Sequence, residues 1–172
     1  MSFLPHHSIA NIITLSNITF GTLSLLHSIR GHYTTAAAFI LIAVFLDGMD
    51  GRVARRLSVS SELGKQLDSL CDLVSFGVAP AFLIYLQYTV AYSFEFGVVL
   101  TLYFVLCGAY RLARFNILGI TDYFLGIPIT LAGALMALMA LLGNFLSLTM
   151  IGIVTFILAT LMISNIKVTK FK

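Results

Sequence analysis

Apolar runs long enough to cross a bilayer follow one another along almost the whole chain: about Ile9 to Ile29, Thr34 to Arg55, Leu63 to Tyr88, Ala91 to Phe115, Ile127 to Leu142 and Leu146 to Ile166. A hydrocarbon core about 30 Å thick needs about 20 apolar residues in a helix that spans it. Breaks fall between the runs, at Arg30-Gly31-His32, Leu57 to Ser61, Thr89 to Glu95, Gly119 to Gly126 and Gly143-Asn144, where glycine and polar residues punctuate the pattern. The chain is 59% hydrophobic and only 10% charged, against about 45–50% and about 25% for soluble domains, so it reads as an integral membrane protein. The expected fold is all-α, a polytopic bundle of six transmembrane helices, with residues 1–172 forming a single domain.

Charge sets the orientation. Arg52, Arg55, Arg56 and Lys65 lie between the second and third runs, Arg111 and Arg114 at the end of the fourth, and Lys167, Lys170 and Lys172 after the sixth. If the helices alternate, all of these share one side and only Arg30 is opposite. The positive-inside rule then places both termini on the cytoplasmic face of the cell membrane. The tail Lys167–Lys172 is read as a topology anchor that can also meet anionic lipid headgroups. Membrane lipids are thus expected partners and nucleic acid is not. The start, MSFLPHHSIAN, has no basic n-region and no small-residue cleavage site follows, so the first run is read as a retained helix. Cys71 and Cys107 lack a CxxC partner and read as buried packing residues, and His6, His7, His27 and His32 as interfacial ones. Pro80, inside the third run, is expected to kink it.

Against this apolar background stands the segment DGMDGRVARRLSVSSELGKQLDSLCD, with Asp47, Asp50, Asp68 and Asp72. Asp47 and Asp50 are three apart, and Asp68 and Asp72 four apart, so each pair shares one helical face. The first pair closes the second run and the second opens the third, and a short hairpin brings all four to one membrane face. Carboxylates near a bilayer cost several kcal/mol unless compensated. Mg²⁺ and Mn²⁺ take such oxygens, commonly with phosphate completing the shell. The interleaved Gly48, Gly51, Ala54 and Gly64 let a ligand approach the backbone. Three other readings compete: a polar hairpin balanced by Arg52, Arg55 and Arg56, a calcium loop, and a cation or proton path in a transporter. DGMDGRVARRLS lacks the alternating oxygens and closing Glu of a calcium loop, and a transporter would place its acids near mid-membrane rather than at helix ends.

Written as a pattern, Asp47, two residues, Asp50-Gly51, two residues, Ala54-Arg55, eight residues, Gly64, three residues, Asp68, three residues, Asp72 resembles the signature of the CDP-alcohol phosphotransferase family. The resemblance implies metal-dependent transfer of a phosphatidyl or related phosphoryl group from a CDP-linked donor to an acceptor hydroxyl, with release of CMP. It implies that Asp47, Asp50 and Asp68 hold Mg²⁺ or Mn²⁺ against the diphosphate. Asp72 would be general base for the hydroxyl and also touch a second metal. Gly51, Ala54 and Gly64 would make room for the cytidine and diphosphate, with Arg55 among the substrate-binding residues. A homodimer is implied by the resemblance as well.

Asn11, Thr14, Asn17 and Gly21 line one face of the first helix. Interhelical hydrogen bonds would account for them. The face also resembles the first helix of the family, which makes Asn11 and Thr14 candidate substrate contacts. LDSLCDLVSFGVAPA (67–81), YRLARFN (110–116), FLGIPIT (124–130) and the end SNIKVTKFK resemble the phosphatidylserine synthase branch of that family. That likeness implies CDP-diacylglycerol as donor and L-serine as acceptor. Arg111 and Arg114 could offer the serine carboxylate or a lipid phosphate a guanidinium fork, or simply mark the inner boundary. Asn116 could bind an ammonium or hydroxyl, and Ser75 is a weaker candidate near the same pocket. A sister enzyme acting on glycerol 3-phosphate or inositol phosphate would want a denser basic pocket than these two arginines provide.

Overall fold

The computed structural model describes residues 6–57, 62–89, 94–118 and 123–169, and side chains within these except those at 6–13, 50–57, 94, 118, 123–124, 144 and 167–169. Six helices run through the described residues: α1 (His6–Ile29), α2 (Tyr33–Leu57), α3 (Glu62–Thr89), α4 (Phe94–Leu118), α5 (Ile129–Leu141) and α6 (Leu148–Ile163). Each of the six apolar segments corresponds to one of them. The expected break at Leu57 to Ser61 lies, after Leu57, outside the described residues, as do Pro5, Lys170 and Lys172. The fold is helical apart from two short strands, β1 (Tyr123–Leu125) and β2 (Lys167–Thr169), which pair antiparallel with Phe124 opposite Val168.

Local chemistry explains the helix ends. Gly31 takes φ 77°, the left-handed conformation that costs glycine no Cβ clash. Around it His32 N–H bonds to His27 O at 2.9 Å and Gly31 N–H to Ser28 O at 3.0 Å, the Schellman pair that satisfies terminal carbonyls. The chain therefore reverses in three residues and α2 runs back along α1. At the start of α6, Ser147 Oγ accepts from Met150 N–H at 3.3 Å, a serine N-cap. Hydroxyls inside the helices mostly bond the carbonyl four residues back, as in Ser28, Thr101 and Thr155. Bonded in this way they carry no unmet polar demand into an apolar setting; the buried Ser24 Oγ is the exception, with no partner among the described residues.

α3 is the central element, in contact with α1, α2, α4 and α5. It is not a uniform α-helix: Leu73–Val78 and Tyr85–Thr89 are π-helical. Pro80 leaves α3 unbroken. The widened turn before it, with Ala79 N–H bonding Val74 O, accommodates a residue that has no N–H to give the Phe76 carbonyl. α5 comes close to that same carbonyl. A Cβ built on Gly133 would lie 2.8 Å from Phe76 O and 2.9 Å from Phe76 Cα, so only glycine permits this crossing.

The interior and exterior are unlike those of a soluble bundle. Ala36, Ala37, Ala79, Ala132, Ala137 and Ala159 are fully buried, around a few large side chains such as Phe76, Phe104 and Met136. Large apolar residues stay outside instead: Val99, Leu102 and Leu106 on α4, Leu131, Leu135 and Leu138 on α5, Ile153, Phe156 and Ile157 on α6. Small residues inside let helices approach in lipid, while apolar surface on this scale marks contact with a membrane or partner. By length and composition, α3 and most of α4 (Glu95–Ile117) are able to cross a bilayer, and Tyr33–Met49, Ile129–Leu141 and Leu148–Ile163 are shorter apolar helices. The chain is membrane-associated.

We predict that Gly133→Ala lowers stability by about 1–3 kcal/mol, because its methyl meets backbone that cannot swing aside. Gly152→Ala, whose Cβ would sit 3.4 Å from the Phe96 ring, should change stability by less than about 0.5 kcal/mol. Thermal unfolding of the two detergent-solubilised variants would check this, and equal melting temperatures would refute the close crossing.

Candidate active site

Two helices bring three carboxylates to one point. Asp47 comes from the C-terminal half of α2, Asp68 and Asp72 from successive turns of α3, and one oxygen of each lies within 4.8 Å of the others. Asp72 is buried, while Asp47 and Asp68 are half-buried. Three hard oxygen donors converging in this way suit a hard divalent cation. An octahedral shell with bonds of about 2.0–2.1 Å spans about 4 Å between opposite ligands, close to the separation found here. Asp50, Gly51, Ala54 and Arg55 continue α2 beyond Asp47, and their side chains lie outside the described residues. Gly48, next to Asp47, faces open space, with nothing within 4 Å of a Cβ built on it. Gly64 stands on the first turns of α3, half-buried.

The polar face of α1 meets this cluster. Asn17, 3% exposed, directs Nδ2 to Asp72 Oδ1 at 3.5 Å, and its backbone carbonyl accepts from Ser75 Oγ at 3.0 Å. One turn on, a Cβ at Gly21 would lie 2.7 Å from Ser75 Cα, so α1 and α3 touch backbone to backbone. Ser75 is therefore a crossing point between helices. Thr14 is buried on the same face, one turn toward the N-terminus, and the side chain of Asn11 lies outside the described residues. The sequence gives Asn17 a place on that face but no role; only its position against Asp72 marks it out.

The two arginines of α4 have different partners. Arg111, 7% exposed, is within electrostatic reach of Asp72. Its guanidinium carbon lies 5.9 Å from the Phe115 ring centroid, and its Nε has no hydrogen-bond partner among the described residues. Arg114 instead donates from Nη1 to Ile163 O and Asn165 Oδ1, each at 3.1 Å, and from Nη2 to Ser164 O at 3.1 Å and Leu125 O at 3.3 Å. It clamps α4 to the end of α6 and to β1. The segments FLGIPIT and SNIKVTKFK meet at this clamp: they supply β1 and β2, and Gly126 N–H bonds Ile166 O at 2.9 Å.

Asn116 is likewise engaged within the fold. Its Nδ2 donates to Ser69 Oγ at 2.9 Å and to Gln66 Oε1 at 3.3 Å, while Lys65 Nζ donates to its carbonyl at 3.0 Å. These contacts brace the turn of α3 that carries Asp68.

The profile of the CDP-alcohol phosphatidyltransferase family matches residues 7–165. Three similar proteins are named CDP-diacylglycerol–serine O-phosphatidyltransferase. That of Helicobacter pylori J99 is 38% identical over all of this chain and 76% of its own length. That of Bacillus subtilis is 39% identical over 94% of this chain and 89% of its own. That of Methanocaldococcus jannaschii is 37% identical over 95% and 75%. An archaetidylserine synthase of Methanothermobacter thermautotrophicus is 38% identical over 93% of this chain and 69% of its own.

We predict that Arg114→Met costs about 2 kcal/mol of stability, since charged hydrogen bonds to backbone oxygens are lost. Arg114→Lys should recover little, because a point-charge ammonium cannot span four acceptors. Unfolding temperatures of both variants check this, and a methionine variant as stable as the parent would refute the clamp.

Proposed function

The chain belongs to the CDP-alcohol phosphatidyltransferase family, and from that premise we propose that it transfers the phosphatidyl group of CDP-diacylglycerol to the hydroxyl of L-serine, giving phosphatidylserine and CMP in phospholipid synthesis. The observation that carries the reading is the convergence of Asp47, Asp68 and Asp72 from two helices onto one point. The names of the relatives supply the donor and acceptor.

In this reading Asp47, Asp50, Asp68 and Asp72 hold Mg²⁺ or Mn²⁺. When bound, the metal neutralises charge on the phosphoryl oxygens and aligns the displacement. Gly51, Ala54, Arg55 and Gly64 face the nucleotide, with Asn11 and Thr14 at its border. Asp72 takes the proton from the serine hydroxyl as the hydroxyl oxygen attacks the phosphatidyl phosphorus. The bond from that phosphorus to the bridging diphosphate oxygen breaks, and CMP leaves with the electron pair. Attack is direct, with no phosphatidyl-enzyme. Arg111, buried beside Asp72, receives the serine carboxylate through its guanidinium. Arg114 and Asn116, whose donors are already engaged, act by holding α4 and α3 in place. The six helices span the membrane as one domain, with both termini and the aspartates on the cytoplasmic side, and the protein works as a homodimer.

The test is CMP release from CDP-diacylglycerol with Mg²⁺ or Mn²⁺, across serine, glycerol 3-phosphate and inositol phosphate. We predict release that requires serine and metal, with phosphatidylserine as product. Release with another acceptor would overturn the serine assignment, and cation flux in sealed vesicles without any CDP-lipid would point to transport. Asp68→Asn, which removes charge at nearly constant volume, should leave the melting temperature within a few degrees and lower kcat at least about a hundredfold, a barrier rise of about 3 kcal/mol. An active Asp68→Asn variant would refute the metal assignment. Parallel double-reciprocal plots, with CMP exchange in the absence of serine, would refute direct attack.

A further inference from the structure

Asn17 carries two features that a helix-packing residue does not need. It is 3% exposed, and while Nδ2 donates to Asp72 Oδ1 at 3.5 Å, its Oδ1 has no hydrogen-bond partner among the described residues. An ionised carboxylate only accepts, so the amide nitrogen must face Asp72 and the oxygen must face elsewhere. The orphan acceptor is on the same planar amide as the group that touches Asp72, and thus adjoins it. The backbone of Asn17 is fixed as well, through Ser75 Oγ on its carbonyl at 3.0 Å and the close approach of Gly21 to Ser75 one turn on. A buried polar atom so held is expected to have a partner in some state of the molecule.

Resting on the serine reading above, we infer that Asn17 is an acceptor-binding residue: its Oδ1 takes the ammonium of the amino acid while its Nδ2 holds Asp72 toward the neighbouring hydroxyl. The chemistry of the site leaves that task to it. Arg111 has only donors and cannot hold an ammonium, while Asp47 and Asp68 would hold the cation and Asp72 would take the hydroxyl proton. Serine carries its hydroxyl and ammonium on adjacent carbons, so a base and a neutral acceptor side by side match that pair. Arg111, on α4 and within reach of Asp72 from another helix, would meet the third group, the carboxylate. The site thereby selects a zwitterionic amino alcohol over acceptors that lack the amine.

The test is steady-state kinetics of the purified protein with CDP-diacylglycerol and serine, with 3-hydroxypropanoate, which keeps the hydroxyl and carboxylate but has no amine, as inhibitor. Asn17→Leu should raise KM for serine about tenfold or more, the change expected for one lost charged hydrogen bond, while the KM for CDP-diacylglycerol and the inhibition constant of the amine-free analogue stay within about twofold. Asn17→Asp keeps an acceptor and loses the donor, so kcat should fall while the serine KM stays within about threefold. An unchanged serine KM in Asn17→Leu overturns the inference. So does a KM rise in Asn17→Asp equal to that of leucine, or a matching shift in the analogue's constant, either of which would make Asn17 a packing residue. If Asn17→Leu does not fold, the aspartate variant decides by the same constants. Failure of the parent protein to release CMP with serine would instead refute the proposed reaction itself.

Discussion

Two ionised carboxylates with oxygens 4.8 Å apart repel by about 3–4 kcal/mol at an effective dielectric near 20, and Asp47, Asp68 and Asp72 form three such pairs. The helices that carry them must therefore be held together by contacts elsewhere. α1 and α2 are joined through a three-residue turn on Gly31. α1 lies against α3 at Gly21 and Ser75, and α5 lies against α3 at Gly133. Each of these crossings depends on small residues, which let backbones meet where lipid supplies no hydrophobic drive between helices. A bound cation would turn that repulsion into attraction, which couples metal binding to the packing of the three helices.

The widened turns of α3 serve the same end. Asp72 closes an α-helical segment and Leu73 opens a π-helical one. The extra residue in the turn displaces the side chains that follow, and it seats Ser75 against α1 and Phe76 against α5. Pro80 makes the wide turn tolerable by removing a donor that a regular helix would have used. One local irregularity so connects the carboxylate site to both neighbouring helices.

The end of α4 is tied down by side chains that resemble binding groups in sequence. Arg114 gathers the carbonyls at the end of α6 and in β1, and Asn116 holds the first turns of α3. Arg111, one turn from Arg114, faces Asp72 instead. The end of one helix thus carries Arg111, within reach of Asp72, beside two residues that hold the frame.

Much of this was legible in the chain itself. The apolar runs, separated by glycine and polar residues, located the six helices, and the offset Asp68–Asp72 put two acids on one helical face, because side-chain direction repeats with the turn. The resemblance of that pattern to a family pointed to the chemistry. Only the tertiary structure separated Arg111 from Arg114, paired FLGIPIT with SNIKVTKFK, and set Asn17 against Asp72. These are contacts between residues distant in sequence, and a one-dimensional pattern states which groups share a helix face but not what that face meets. Periodicity follows from the backbone alone; partnership depends on where the other helices come to lie.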